Sequence, residues 1–120
     1  MLEAHLSESM LDKVELAYRT TYADGETLIV REGRVFYIVL GRDTDKCIKI
    51  IRKIIFKKKS KFVLDLSYHS RLDPLLIGLL AYFRYLSGSK HAITILNLRR
   101  QSEKMVVACA LFKAMRIHYM

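Results

Sequence analysis

The sequence predicts a single α/β domain, with a mixed, mostly parallel sheet of about four to five strands, helices packed against it, and an extra N-terminal helix. Three observations carry that expectation. The chain is 120 residues long, 52% hydrophobic and 28% charged, a balance that supports one packed core and argues against disorder. Short apolar runs of the kind that form buried strands, Phe62 to Leu66 and Ala92 to Leu96, alternate with stretches of helical period. The segment between those two runs is long enough for a crossover helix, which implies parallel pairing and a right-handed connection.

Glu8 to Arg19 places Met10, Leu11 and Val14 near helical spacing, with Ser7 or Ser9 available as an N-cap. This N-terminal helical extension (residues 1–24) reads as an appendage, closed by the turn signal Asp24-Gly25. Thr27 to Arg31 and Arg34 to Leu40 are β-rich runs joined through Glu32-Gly33, a hairpin spacing. Both alternating sets of the second run are apolar, so that strand is expected to lie inside a sheet covered on both sides. Asp43 or Thr44 then caps a helix drawn over Asp45 to Lys59, whose apolar stripe is Cys47, Ile48, Ile51, Ile54 and Ile55.

Asp73-Pro74 opens the next helix, with the aspartate as N-cap and the proline at the first helical position, where its missing N–H costs nothing. Through Ser87 this helix carries Leu75, Leu76, Ile77, Leu79, Leu80, Tyr82, Phe83 and Leu86. It is expected to be the best buried of the domain. Ser87-Gly88-Ser89 stops it, His91 to Leu96 forms the next strand, Ser102 caps a helix running through Phe112, and Ile117 to Tyr119 adds a last edge strand. The expected order is helix, β, β, α, β, α, β, α, β.

Little in the sequence points to catalysis. His5, His69, His91 and His118 are dispersed, and Cys47 and Cys109 have no companions at metal-ligand spacing. There is no phosphate-cradling glycine motif, and neither Ser67 nor Ser70 stands in the context of a nucleophile. No cofactor or metal is expected. Met1 to Met10 lacks the pattern of a secretory signal, and the apolar run Pro74 to Phe83 meets Arg84 well short of the roughly 20 residues of a membrane span. The expected location is the cytoplasm.

The net charge of +9 suggests a polyanionic partner or a solvated basic face. Its densest part is Lys49, Arg52, Lys53, Lys57, Lys58, Lys59 and Lys61. These crowd toward a helix C-terminus, where they oppose the negative end of the dipole. Only Phe56 interleaves an aromatic with them, whereas a nucleic-acid module would more usually mix in aromatics or glycines.

The stretch Phe62-Val63-Leu64-Asp65-Leu66-Ser67, the loop aspartate Asp73, Gly78-Leu79-Leu80, Ile93-Thr94-Ile95-Leu96-Asn97 and Glu103 to Val107 together resemble the STAS domain (sulfate transporter and anti-sigma factor antagonist). The resemblance covers roughly Thr27 to Tyr119, making residues 25–120 a STAS-like domain. It implies a non-enzymatic regulatory module of bacterial-type signal transduction and transcription control. Its partner would be a serine-kinase anti-sigma factor or a related regulator, docked through residues 67–78. Ser67, Tyr68, His69, Ser70, Arg71, Asp73, Pro74 and Gly78 are the docking residues on this reading; Asp73 orients the helix while Tyr68, His69 and Arg71 meet the partner.

Two positions depart from the family pattern. Pro74 stands where the antagonist branch has its phosphorylated serine, and Leu76 replaces the first glycine of the helix start. Proline has no hydroxyl to modify, so phosphorylation at the usual position is not expected, and Ser67 and Ser70 become the candidate modification sites. No counterpart of the family's C-terminal helix is expected among the residues up to Met120, and the N-terminal helix is expected to cover the surface it would have covered. Two alternatives stand beside docking: a basic module that binds nucleic acid or anionic lipid through residues 49–61, and a STAS-type accessory subunit of a transporter ATPase.

Overall fold

The computed structural model describes residues 11–13, 25–54, 60–88 and 92–120. Five strands, β1 (Leu28–Glu32), β2 (Val35–Val39), β3 (Lys61–Asp65), β4 (Ile93–Leu98) and β5 (Arg116–Tyr119), form one sheet in sequential order. β1 runs antiparallel to β2, and every later neighbour pairs in parallel. The expected α/β class and mostly parallel sheet are therefore present. The crossovers carry helix α1 (Thr44–Arg52) between β2 and β3, α2 (Pro74–Ser87) between β3 and β4, and α3 (Glu103–Ala108) between β4 and β5.

Sequential order dictates where the helices go. Each parallel connection advances the sheet by one strand in the same direction, so a constant right-handed crossover stacks all the helices on one face. Side-chain alternation confirms this: Phe36, Ile38, Phe62, Leu64, Ile93 and Ile95 share one cluster with Cys47, Ile51, Leu76, Leu80, Phe83 and Phe112. The Phe62 ring lies at its centre, 5.8 Å from Phe36 and 4.9 Å from Phe83. The opposite face holds Val30, Tyr37, Val39, Val63 and Leu96. Leu11, in the helical residues 11–13, packs against this second cluster together with Tyr68. The remainder of the helix expected over Glu8 to Arg19 lies outside the described residues.

Local chemistry sets the element ends. The two-residue loop of the hairpin has Gly33 at φ +61° and places Glu32 opposite Val35, the tight connection that strand twist favours. Asp43 caps α1 by accepting from the Lys46 N–H, and Asp73 caps α2 by accepting from the Leu76 N–H at 2.8 Å. Gly88, at φ +63°, ends α2 in the left-handed conformation that helix termini favour.

Three expectations change. Helix α1 stops at Arg52 instead of reaching Lys59, because the Lys53 and Ile54 N–H groups bond back three residues to Ile50 and Ile51 and tighten the last turn. Residues 55–59 lie outside the described set. Helix α3 ends at Ala108 rather than Phe112: Cys109 is extended, and a 3₁₀ turn over Ala110–Phe112 follows, bringing Phe112 and then Met115 into the core. On α2, only Leu76, Leu79, Leu80 and Phe83 of the eight apolar side chains are buried, while Leu75 is 53% exposed. It still buries more side chains than α1 or α3. At about 1.5–3 kcal/mol each, those four contribute roughly 6–12 kcal/mol of gross burial.

Gly41, at the exit of β2, permits a close approach. A Cβ there would sit 2.7 Å from both the Gly25 carbonyl oxygen and the Thr27 nitrogen. Those are backbone atoms and cannot swing aside. Gly41→Ala is expected to lower stability by about 1–3 kcal/mol, measurable as a reduced urea midpoint at unchanged m-value.

Candidate functional site

The parallel strands β2, β3 and β4 end at one edge of the sheet, and their loops meet there, the position at which open α/β sheets present their sites. At the end of β3 stands Asp65, only 2% exposed, with its side chain on the face away from the helices. One carboxylate oxygen accepts from the Tyr37 hydroxyl at 2.8 Å and from Asn97 Nδ2 at 3.1 Å; the other accepts from the Ser67 N–H at 2.9 Å. A buried carboxylate is tolerable only when its lone pairs are used in this way. Asn97 reaches it from a bulge in β4, where the register shifts between Leu96 and Leu98 and the asparagine takes φ +58°. Asparagine is one of the few side chains that enters this region readily.

Beyond Asp65, the chain from Ser67 to Asp73 is pinned from several sides. The His69 ring is buried, and its Nε2 lies 2.8 Å from the Gly41 carbonyl. A carbonyl can only accept, so Nε2 carries the proton. The Arg42 guanidinium stacks over the Tyr68 ring at 5.2 Å, Arg99 Nη2 donates to the Ser67 carbonyl at 3.4 Å, and Gln101 Nε2 donates to the Ser70 carbonyl. The loop is thus held by side chains from the segments after β2 and after β4.

Behind His69 lies a closed set of small-group bonds. The Gly41 N–H donates to Thr27 Oγ1 at 3.1 Å, Thr27 Oγ1 and Cys47 Sγ are 2.9 Å apart, and Cys47 Sγ donates to the Gly41 carbonyl at 3.4 Å. With the thiol proton directed at Gly41, the threonine hydroxyl donates to sulfur. The Gly41 carbonyl therefore receives both Cys47 and His69 on its two lone pairs. Burial, the largest cause, pushes the Cys47 thiol above its ordinary range, and the Thr27 hydroxyl, donating to sulfur, opposes the shift.

The docking residues expected from sequence separate into two groups. His69, expected to meet the partner, is instead turned inward, buried and bonded to the Gly41 carbonyl, and braces the loop. Ser67 and Tyr68 are half-buried, while Ser70, Arg71, Asp73, Pro74 and Gly78 are exposed. Within the basic group, Lys49, Arg52, Lys53 and Lys61 are exposed, and Lys57, Lys58 and Lys59 lie outside the described residues. Tyr37, Gly41, Arg42, Asn97, Arg99 and Gln101 were not among the expected site residues. A lone aspartate inside the apolar run Phe62 to Leu66 was the sequence signal for a buried polar partner set. Nothing in sequence spacing identifies which distant residues form it.

Among the described residues no group of three or more His, Cys, Asp or Glu side chains could hold a metal ion. No helix among them is long and apolar enough to cross a membrane.

Replacing Asp65 by Ala removes the shared acceptor of the buried Tyr37 hydroxyl and of the half-buried Asn97 amide and Ser67 N–H, at an expected cost on the order of 3 kcal/mol. Tyr37→Phe removes a single charge-assisted bond and should cost about 1.5 kcal/mol; chemical denaturation separates the two. The thiol makes a second expectation, for pH. A folded-state pKa raised above the unfolded value leaves stability intact below the unfolded pKa and removes it as pH rises toward the folded one. Unfolding free energy should therefore decline above about pH 8.5. Cys47→Ala should flatten that part of the profile.

No family model, curated protein or solved structure matches the chain.

Proposed function

We propose that the chain is a non-enzymatic regulatory domain that docks a protein partner through the Ser67–Asp73 loop and the start of α2, in the manner of an anti-sigma factor antagonist. The observation that carries this reading is the pinned loop. Gly41, Arg42, Arg99 and Gln101 hold the Ser67–Ser70 segment from the chain after β2 and after β4, and the chain next presents exposed Arg71, Asp73, Pro74 and Leu75 together. A loop fixed before it meets a partner loses little entropy on binding, which favours recognition. The chemistry at this edge also favours binding over catalysis. The Asp65 carboxylate is occupied by Tyr37, Asn97 and Ser67, and the His69 imidazole is committed to a backbone carbonyl.

Pro74 gives the docking edge a fixed state. The Asp73 cap leaves the helix N-terminus complete without a phosphate, and the residue that would carry one in the resembling family has no hydroxyl. The partner would be a serine-kinase anti-sigma factor or related regulator in the cytoplasm, with an accessory role on a transporter ATPase as the neighbouring possibility within the same family.

An affinity capture from the native host, quantified by mass spectrometry, tests the reading. The parent chain should enrich a protein partner in stoichiometric amount. Arg71→Glu should weaken that capture by about tenfold or more, an effect typical of a charge at an interface, whereas Lys61→Glu should leave it unchanged. Capture of nucleic acid instead, lost with rising salt and insensitive to Arg71, would sink docking in favour of the basic module.

A further inference from the structure

Helices α1 and α2 both run back between parallel strands, so they lie side by side in the same direction, and a groove of about 400 Å³ opens between them. Its walls are Ile48, Ile51 and Arg52 from α1 and Leu75, Leu79 and Tyr82 from α2. Leu75 at 53% and Tyr82 at 36% exposure leave apolar surface in water along its length. Gly78 also lines it. Glycine weakens a helix interior, and a Cβ at Gly78 would meet no described atom within 4 Å. Packing within the described chain therefore does not require glycine there. What its missing side chain does is keep the groove open.

Charge around the groove is uneven. Arg52 lines it, and Lys49 and Lys53 stand exposed on the same helix end. Among the described residues none of the three has a carboxylate partner. The acids of these two helices are at the other end: Asp43, which caps α1 by accepting from the Lys46 N–H, Asp45 in its first turn, and Asp73, whose carboxylate is committed to the Leu76 N–H. A helix laid in such a groove needs apolar side chains at i, i+3 or i+4 and i+7, and the basic end favours acidic residues beside them.

We infer that the α1–α2 groove receives an acidic amphipathic helix of the partner protein, its leucine-like side chains over Gly78 and Leu79 and its carboxylates beside Arg52, with Lys49 one turn away at the rim. This rests on the docking reading above and names the chemistry of the segment that is bound. An apolar floor of this kind suits a peptide better than a polyanion, which would use the charges and leave Leu75 and Tyr82 wet.

The test uses the full chain and a fluorescent helical peptide of about 15 residues, with leucines at i, i+4 and i+7 and glutamates flanking them. Controls are the same peptide with lysine for glutamate, a single-stranded RNA, and vesicles of anionic phospholipid. Anisotropy should show the acidic peptide binding at least about tenfold more tightly than the lysine version. Gly78→Met, which fills the groove, and Arg52→Glu should each weaken it by a similar factor, while Arg116→Glu on the edge strand β5 should not. Circular dichroism confirms that the variants fold. Equal binding of both peptides, or binding unaffected by Gly78→Met, would overturn the inference, as would tighter binding of RNA or vesicles than of the acidic peptide. If those results occur while the native partner is still captured through Arg71, the groove assignment alone fails. If the chain captures no protein at all, the docking reading fails with it.

Discussion

The Asp65 carboxylate constrains this structure more than any other single group. A charge-bearing side chain taken out of water at the end of a central strand must have its lone pairs filled, and here the donors come from three different places: Tyr37 on β2, Asn97 on the bulge of β4, and the Ser67 N–H at the head of the loop. Meeting that requirement fixes β2 and β4 beside β3 at their ends. It also sets the direction in which the chain leaves β3. The loop's course, and the position of Asp73 at the start of α2, follow from it.

Gly41 plays the complementary part on the helix side. Its lack of a side chain lets β2 turn close to Gly25 and Thr27, and its carbonyl gathers Cys47 from α1 and His69 from the loop. Two small polar systems thus hold the same loop, one through Ser67 and the other through His69. Between them the loop has little freedom left, and the exposed residues that follow it are presented on a fixed base. Burying hydrogen-bonded polar groups adds less to net stability than apolar packing does, but it is directional and selects one arrangement among many of similar compactness.

The two faces of the sheet have different histories in the fold. Right-handed crossovers in sequential order place α1, α2 and α3 on one side, so the other side, with Val30, Tyr37, Val39, Val63 and Leu96, is covered by none of them. Leu11 and Tyr68 pack there, which ties the segment before β1 to the same face that carries Asp65. On the helical side, a gap opens between α1 and α2. The exposed apolar edges of Leu75 and Tyr82 belong to that gap, and the glycine at 78 keeps it open.

Much of the architecture was legible from local pattern. The strand runs, the hairpin glycine, the Asp43 and Asp73 caps and the glycine end of α2 depend on neighbours a few residues away, and such interactions are written in the sequence directly. The lengths of α1 and α3 were not, because where a helix stops depends on what its last turn packs against as well as on its period. The same division applies to the site. Sequence by itself determined the parallel α/β order, the loop between β3 and α2, and the absence of a hydroxyl at Pro74. Only the tertiary structure decided that His69 faces inward, that Asp65 is bound by Tyr37 and Asn97, and that Ile48 and Arg52 share a groove with Gly78. Hydrogen bonds and contacts of that kind join residues 26 to 32 positions apart in the chain, and no periodicity in the intervening sequence encodes which of them will meet.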